Sequence, residues 1–368
     1  MARVLKAIGL MSGTSMDGID AAILDTDGER IAAFGPARFE PYSADMRARL
    51  REAIDRAATM PLSGPLPADI EALERELTQA HARAVTALLM EAGLTPNDID
   101  VVGFHGQTLV HRPQHRMTLQ IGSGPRLAQA TGIDVVNDFR TADVRAGGQG
   151  APLVPIYHAA LAADRAPVAV LNIGGVANVT FVGRGGELIA FDTGPGNAPI
   201  DDWALKHTGQ PIDKDGALAA KGRVNENVVA HLLEHAYFAK PAPKSLDRMD
   251  FALDMARNLT PEDGAATLTA FTARAIAKAR AHLPRPPQAW IVCGGGRLNP
   301  TLMRELRTAL DGATVLTAED AGWRGDFIEA EATAYLAVRS LRGLPISFPL
   351  TTGVPRPMAG GALHNGRR

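Results

Sequence analysis

Two short apolar runs near the N-terminus, residues 4–10 and 19–25, flank a stretch of glycine, hydroxyl and carboxylate residues. That pattern predicts two strands joined by a hairpin turn, and residues 31–39 predict a third strand. Residues 45–58 and 68–92 carry apolar positions at helical spacing, while MPLSGPLP between them is a loop by its prolines and glycine. Residues 99–104 predict a strand that runs into His105, Gly106, Gln107 and Thr108. Further strands are predicted at 118–122 and 133–137, then a flexible AGGQGAP, then a helix over 152–163.

At Val168 the plan begins again. VAVLNIGGVANVTFV reads as strand, glycine turn, strand, and a strand at 187–191 enters DTGPGN ahead of a helix starting near Ile200. Helices are predicted at 225–238 and 267–282, followed by a strand at 289–293 entering GGGRLNP and a helix at 300–310. A last helix at 328–341 precedes a proline-rich tail. Two halves that each open on a glycine-interrupted hairpin and then mix helices with strands predict a duplicated α/β unit. The expected boundary lies near residue 150: one lobe takes 1–150 with 345–368, the other 151–344.

A length of 368 residues allows two domains, because single cores stop growing near ~250–300 residues. With 46% hydrophobic and 21% charged residues the chain reads as globular rather than disordered. Its formal net charge of −2, with both signs interspersed, makes no field for nucleic acid or an anionic membrane. The single cysteine, Cys293, excludes a disulfide framework. No apolar run approaches the ~20 residues that span a bilayer, and MARVLKAIGLM is too short an apolar start for a signal peptide. The expectation is a cytoplasmic protein.

The glycine turn at SGTSMDG is not a Walker A loop, because no lysine follows Gly18. GSGPRL at Gly122 has leucine where a dinucleotide fingerprint needs its third glycine, and no serine elbow surrounds Ser12 or Ser15. What remains can donate backbone and hydroxyl hydrogen bonds to phosphate, with Asp17 placed to hold a magnesium ion through water. Turn geometry alone explains an isolated cluster of this kind equally well. Three further stretches change the picture. Gly174, Gly175 and Asn178 form a second glycine turn, and Asp192 stands at the expected end of a strand, where open α/β sheets handle ligands. Gly294, Gly295 and Gly296 offer bare backbone to an adenine, with Asn299 placed to cap the next helix. Together they predict a nucleotide cleft between two lobes.

In order along the chain, GLMSGTSMDGID, GFHGQT, VNDFR, GGQGAPLVP, NIGGVANVT, FDTGPGN, CGGG and FIEAEATAYLA resemble the anhydro-N-acetylmuramic acid kinases. These belong to the acetate and sugar kinase, Hsc70 and actin superfamily. The resemblance implies a two-lobed, actin-like ATPase (ribonuclease H-like) fold and ATP with Mg²⁺ as cofactors. It implies 1,6-anhydro-N-acetylmuramic acid as substrate, a homodimer, and a place in cell-wall recycling. Residue by residue it implies triphosphate contacts from Gly13, Thr14, Ser15, Met16, Asp17, Gly18, Ile19 and Asp20, with Asp192 as catalytic base. It also implies sugar contacts from His105, Gln107, Thr108, Arg140 and Glu329. A guanidinium at Arg140 suits the lactyl carboxylate of a muramic acid.

Two rival readings stand beside this one. His231-Leu-Leu-Glu234-His235 fits the H-x-x-E-H zinc pattern if both histidines share one helix face. A mechanical ATPase of actin or Hsc70 type would keep the cleft but have no use for GFHGQT, Arg140 and Glu329.

Overall fold

The computed structural model describes residues 2–13, 15–57, 64–246, 251 and 256–366. Thr14 and the first half of the MPLSGPLP loop lie outside them, as does part of the stretch PAPKSLDRMDFAL. Two compact units form, Met1–Leu161 with Phe327–Arg368, and Ala162–Asp326. The boundary therefore differs from the expected 150 and 345. The reason is the helix Ile328–Leu341, which packs on the central strands of the first unit rather than the second.

The first unit contains β1 (Leu5–Met11), β2 (Gly18–Thr26), β3 (Ile31–Pro41), β4 (Val101–Phe104), β5 (Gln107–Arg112), β6 (Met117–Ile121) and β7 (Val135–Asn137). The second contains β8 (Val168–Ile173), β9 (Val176–Val182), β10 (Leu188–Pro195), β11 (Ala289–Cys293) and β12 (Thr314–Thr317). The tail returns to the first unit as β13 (Ala362–His364).

The two sheets share one topology. In the first the order is β13-β7-β4-β1-β2-β3, with β1, β2 and β3 antiparallel and β4 and β7 parallel to β1. In the second the order is β10-β9-β8-β11-β12, again an antiparallel three-strand meander followed by two parallel strands. Strand for strand, β1 corresponds to β8, β2 to β9, β3 to β10, β4 to β11 and β7 to β12. This is the duplicated α/β plan expected from the sequence. β5 and β6 stand apart as a two-stranded sheet that belongs to the first unit alone.

The central strands are buried on both faces, as parallel strands covered by helices must be. Ala7, Ile8 and Leu10 of β1 and Val168, Ala169, Val170 and Leu171 of β8 are fully inaccessible. On one face of the first sheet, small residues replace large ones. Gly9 and Gly103 lie side by side on β1 and β4, and a Cβ on either would collide with the main chain of the helix Ile328–Leu341 at Ala330 and Thr333. The helix answers with Ala330, Thr333, Ala334 and Ala337, so backbone meets backbone without a cushion of side chains.

Several expected elements differ in detail. The predicted helix over 225–238 is two pieces, Glu226–Leu232 and a 3-10 turn Ala236–Ala239. His231 ends the first piece and His235 precedes the second, where its Nδ1 accepts from the Tyr237 amide at 3.3 Å. The two histidines therefore do not share a helix face, and the zinc reading loses its premise. β5, β12 and the helix Gly124–Thr131 are elements the sequence pattern did not predict. Among the described residues no helix is long and apolar enough to cross a membrane.

Candidate active site

In the first unit the expected residues gather at the C-terminal ends of the parallel strands, the edge where open α/β sheets bind ligands. β1 runs into the turn Ser12–Asp17, β4 into His105, and β7 into Arg140. The turn is shaped by side chains. Ser12, buried, donates its hydroxyl to Gln107 Oε1 at 2.7 Å and accepts from the Tyr42 hydroxyl at 3.0 Å. Gln107 Nε2 donates to the Gly13 carbonyl at 3.3 Å. Ser15 donates to Asp17 Oδ1 at 2.6 Å, and the Asp17 carbonyl accepts from the Tyr42 amide at 2.9 Å. Met16 takes φ 53° to close the turn, and Asp17 stays exposed.

Gln107, expected against the sugar, has both ends of its buried amide engaged by Ser12 and Gly13 of this turn. The side chain of Ile19, expected against the triphosphate, lies wholly in the core. The next residue, Asp20, sits in the β2 ladder opposite Met11 and Phe39, so the turn proper ends at Asp17.

His105 and Arg140 form a second cluster. Arg140 donates from Nη2 to His105 Nε2 at 2.8 Å, with Nε also 3.1 Å away, and from Nη1 to the Gly150 carbonyl at 2.7 Å. His105 Nδ1 lies 2.8 Å from the Gly106 carbonyl and so carries the proton, leaving Nε2 to accept. Burial, reinforced by the neighbouring guanidinium, pushes the imidazole down to about 3, so it is neutral. Glu329, in the first turn of Ile328–Leu341, is solvent-accessible, yet the protein mass around it pushes its carboxyl up while Arg140 pulls it back. Burial lowers the Arg140 guanidinium, an effect Glu329 and Asp143 oppose. Thr108 lies on β5 facing Gln120, whose Nε2 donates to its hydroxyl at 3.3 Å.

Asp143 is a residue the motifs did not single out. It is buried and accepts from the Gly150 amide and the Thr352 hydroxyl, each at 2.6 Å. It therefore fixes the AGGQGAP loop, whose Gly150 carbonyl in turn holds Arg140. The only sequence signal is a carboxylate three residues before the AGGQGAP loop.

In the second unit the supports are main chain. The carbonyls of Gly174 and Gly175 accept from the amides of Asn197 at 2.7 Å, Gly196 at 2.9 Å and Ala198 at 3.2 Å, so the FDTGPGN segment folds back onto the second glycine turn. Asn197 also donates from Nδ2 to the Ile173 carbonyl at 3.1 Å. Gly294 and Gly296 pack beside Asn172 and Ile173. Asn299 spends its carbonyl on the helix Pro300–Ala309, accepting from the Leu302 amide at 3.0 Å, so its side chain is a cap.

Asp192 does not end its strand as expected. β10 continues to Pro195 and bulges between Asp192 and Gly194. The register places Asn172, Asn178 and Asp192 side by side across β8, β9 and β10 as one half-buried polar row. Asp192 Oδ2 accepts from the Leu246 amide at 2.8 Å. Burial pushes its carboxyl up to about 6, against the pull of that amide.

The glycines separate into two groups. A Cβ at Gly18, Gly294 or Gly296 would strike this protein's own atoms, so internal packing accounts for them. At Gly13, Gly174, Gly175 and Gly295 a Cβ would meet nothing nearer than 3.6 Å, and none of the four has a positive φ. Neither packing nor backbone conformation requires glycine there.

Comparison with known proteins accords with this arrangement. Residues 5–366 match the family model described as anhydro-N-acetylmuramic acid kinase. An anhydro-N-acetylmuramic acid kinase of Rhodopseudomonas palustris is 52% identical over 363 residues, 98% of this chain and 99% of its own length. One from Rhizorhabdus wittichii is 55% identical over 365 residues, again covering 98% and 99%. With a family model matched over nearly the whole chain and relatives above half identity along their full length, this chain belongs to the anhydro-N-acetylmuramic acid kinase family.

Proposed function

We propose that this protein uses ATP to open the 1,6-anhydro ring of anhydro-N-acetylmuramic acid and to phosphorylate O6, acting in the cytoplasm in cell-wall recycling. The observation that supports the reading is the set of glycines at 13, 174, 175 and 295, where neither a close contact nor a positive φ calls for glycine. Gly13 and the pair Gly174 and Gly175 lie at matching turns of a duplicated sheet, Gly295 follows β11, and the second unit also carries the half-buried carboxylate of Asp192.

In the substrate O6 is bridged to C1, so no free 6-hydroxyl exists. Water adds at C1 and its proton passes to the Asp192 carboxylate, which burial has made basic enough to take it near neutral pH. The C1–O6 bond breaks, O6 attacks the γ-phosphorus, and the bond to the β-phosphate oxygen breaks to release ADP. Transfer of this kind depends chiefly on positioning and charge neutralisation. Amides of the two glycine turns would hold the phosphates. A Mg²⁺ ion would sit at Asp17 through water, because that ion takes one or two carboxylates and completes its shell with phosphate and water. Arg140, held in plane by His105 and Gly150, has guanidinium hydrogens left to grip the lactyl carboxylate, with Glu329 and Thr108 nearby on the sugar side. The family likeness also carries the expectation of a homodimer.

The deciding experiment incubates the protein with ATP, Mg²⁺ and the anhydro-sugar in ¹⁸O-water. The expected product is N-acetylmuramic acid 6-phosphate with solvent oxygen at C1. ATP turnover that ignores the sugar would instead favour the mechanical ATPase, and a phosphorylated sugar without ¹⁸O would favour an ordinary hydroxyl acceptor.

A further inference from the structure

The catalytic chemistry above uses Asp192 but not the residues around it. A short strap, Lys244 to Leu246, runs alongside Asp192 and touches it twice through main chain. The Asp192 amide donates to the Lys244 carbonyl at 3.0 Å, and the Leu246 amide donates to Asp192 Oδ2 at 2.8 Å. A third contact comes from the Ala236–Ala239 turn, where the Tyr237 hydroxyl donates to the Asp192 carbonyl at 2.6 Å. Amide, carbonyl and one carboxylate oxygen of Asp192 are thus all held.

The side chain of Lys244 anchors the strap. Lys244 Nζ donates to the carbonyls of Tyr237 at 3.2 Å and Phe238 at 3.3 Å, and lies 3.2 Å from His282 Nε2. The ammonium also sits 4.8 Å from the ring centre of Tyr237 and 5.7 Å from that of Phe191, the residue before Asp192. A lysine drawn in from solvent to cap two carbonyls and face two rings gives up hydration that an exposed one keeps.

We propose that Lys244 is a positioning residue for the reaction: its ammonium pins the strap, and the strap fixes Asp192 so that Oδ1 is presented to the attacking water. The contacts form a closed ring, since Tyr237 holds Lys244 through its carbonyl and ring while holding Asp192 through its hydroxyl. Among the described residues the titratable and charged groups around this ring are Asp192, His235, Tyr237, Lys240, Lys244, Lys278 and His282. Burial, with repulsion from Lys240, lowers Lys244 to about 8, which still leaves it mostly charged at neutral pH.

The inference rests on Asp192 being the base, and the test separates the two. In Lys244→Met the stem remains and the charge goes. Slackening the Leu246 amide removes a contact that favours the ionised carboxylate, so the acid limb of the kcat/KM profile should move to higher pH. Turnover should fall by about 10–100-fold, the cost of a misplaced reacting group. KM for ATP should stay within twofold, and Lys244→Arg should recover most of the lost turnover. Wild-type behaviour in Lys244→Met, or a loss of turnover with the acid limb unmoved, overturns the proposal. If Lys244→Met does not fold, Tyr237→Phe deletes a single hydroxyl from the ring and should move the acid limb in the same direction, by less; an unmoved limb there overturns it too. Asp192→Asn is run alongside. An inactive Asp192→Asn with an unaffected Lys244→Met sinks only the strap, whereas an active Asp192→Asn sinks the base assignment itself.

Discussion

The two units fold the same way and hold their glycine turns by opposite means. After β1 the turn is braced by side chains, Tyr42 to Ser12 to Gln107 and back to Gly13. After β8 it is braced by the amides of Gly196, Asn197 and Ala198. Topology therefore decides where a chain can bend toward a ligand, while the means of stiffening that bend varies between copies. The chemistry divides along the same line. The first unit carries the Arg140 guanidinium, the His105 imidazole and Glu329, and the second carries Asp192.

The sharpest way to break that division is Asp192→Asn. Turnover should drop by ~10²–10⁴-fold, the loss expected for a positioned base. Stability should move the other way. A carboxyl raised to about 6 by burial costs the folded state free energy above that pH, and the cost fades as pH falls toward the unfolded value near 4. The variant should thus gain up to about 3 kcal/mol at pH 8 and almost nothing below pH 4, measured by denaturant melts across pH. An equal gain at both pH values would remove burial as the cause.

Next in size is Arg140→Lys in the first unit. A point charge cannot reproduce the planar fork, so KM for the anhydro-sugar should rise about 10–100-fold with KM for ATP unchanged. A sugar lacking the lactyl group should respond less. If both sugars suffer alike, the carboxylate is not the partner of Arg140.

Gly174→Ala tests the main-chain cradle. The added methyl meets no protein atom closely, so melting should stay within about 1 kcal/mol of wild type. KM for ATP should rise about tenfold, one donor lost or displaced. An unchanged KM would place the triphosphate elsewhere. Gln107→Leu tests the side-chain brace, and its effect should be smallest. The Ser12 hydroxyl loses its acceptor at a cost of about 1–2 kcal/mol in stability, and KM for ATP rises roughly threefold. The Gly174 and Gly175 carbonyls of the second turn are held by backbone amides, so no side-chain deletion is expected to free them.

Much of this molecule could be read from its residues because long periodic segments override local ambiguity. The helices Ala68–Ala92 and Ile328–Leu341 and the strand β11 occupy the expected residues. Short elements were harder. β12 is four residues at the edge of its sheet, and β5 begins inside GFHGQT, where glycines suggest a loop. Glycine motifs marked both turns, but not which glycines face a ligand; Gly18 and Gly294 serve packing while Gly13 and Gly175 do not. Supporting residues were invisible for a plainer reason. Asp143 meets Thr352 more than two hundred positions away, and Asn172 joins Asp192 only through strand register.

The facing glycines of β1 and β4 have a mechanical consequence. β1 delivers the first glycine turn, and the helix laid directly on Gly9 and Gly103 delivers Glu329 from its opening turn. With no compressible side chains between them, strand and helix act as a ruler that sets the span from Ser12 to Glu329. A single methyl at Gly9 would lengthen that ruler, and every contact graduated along it would be displaced together.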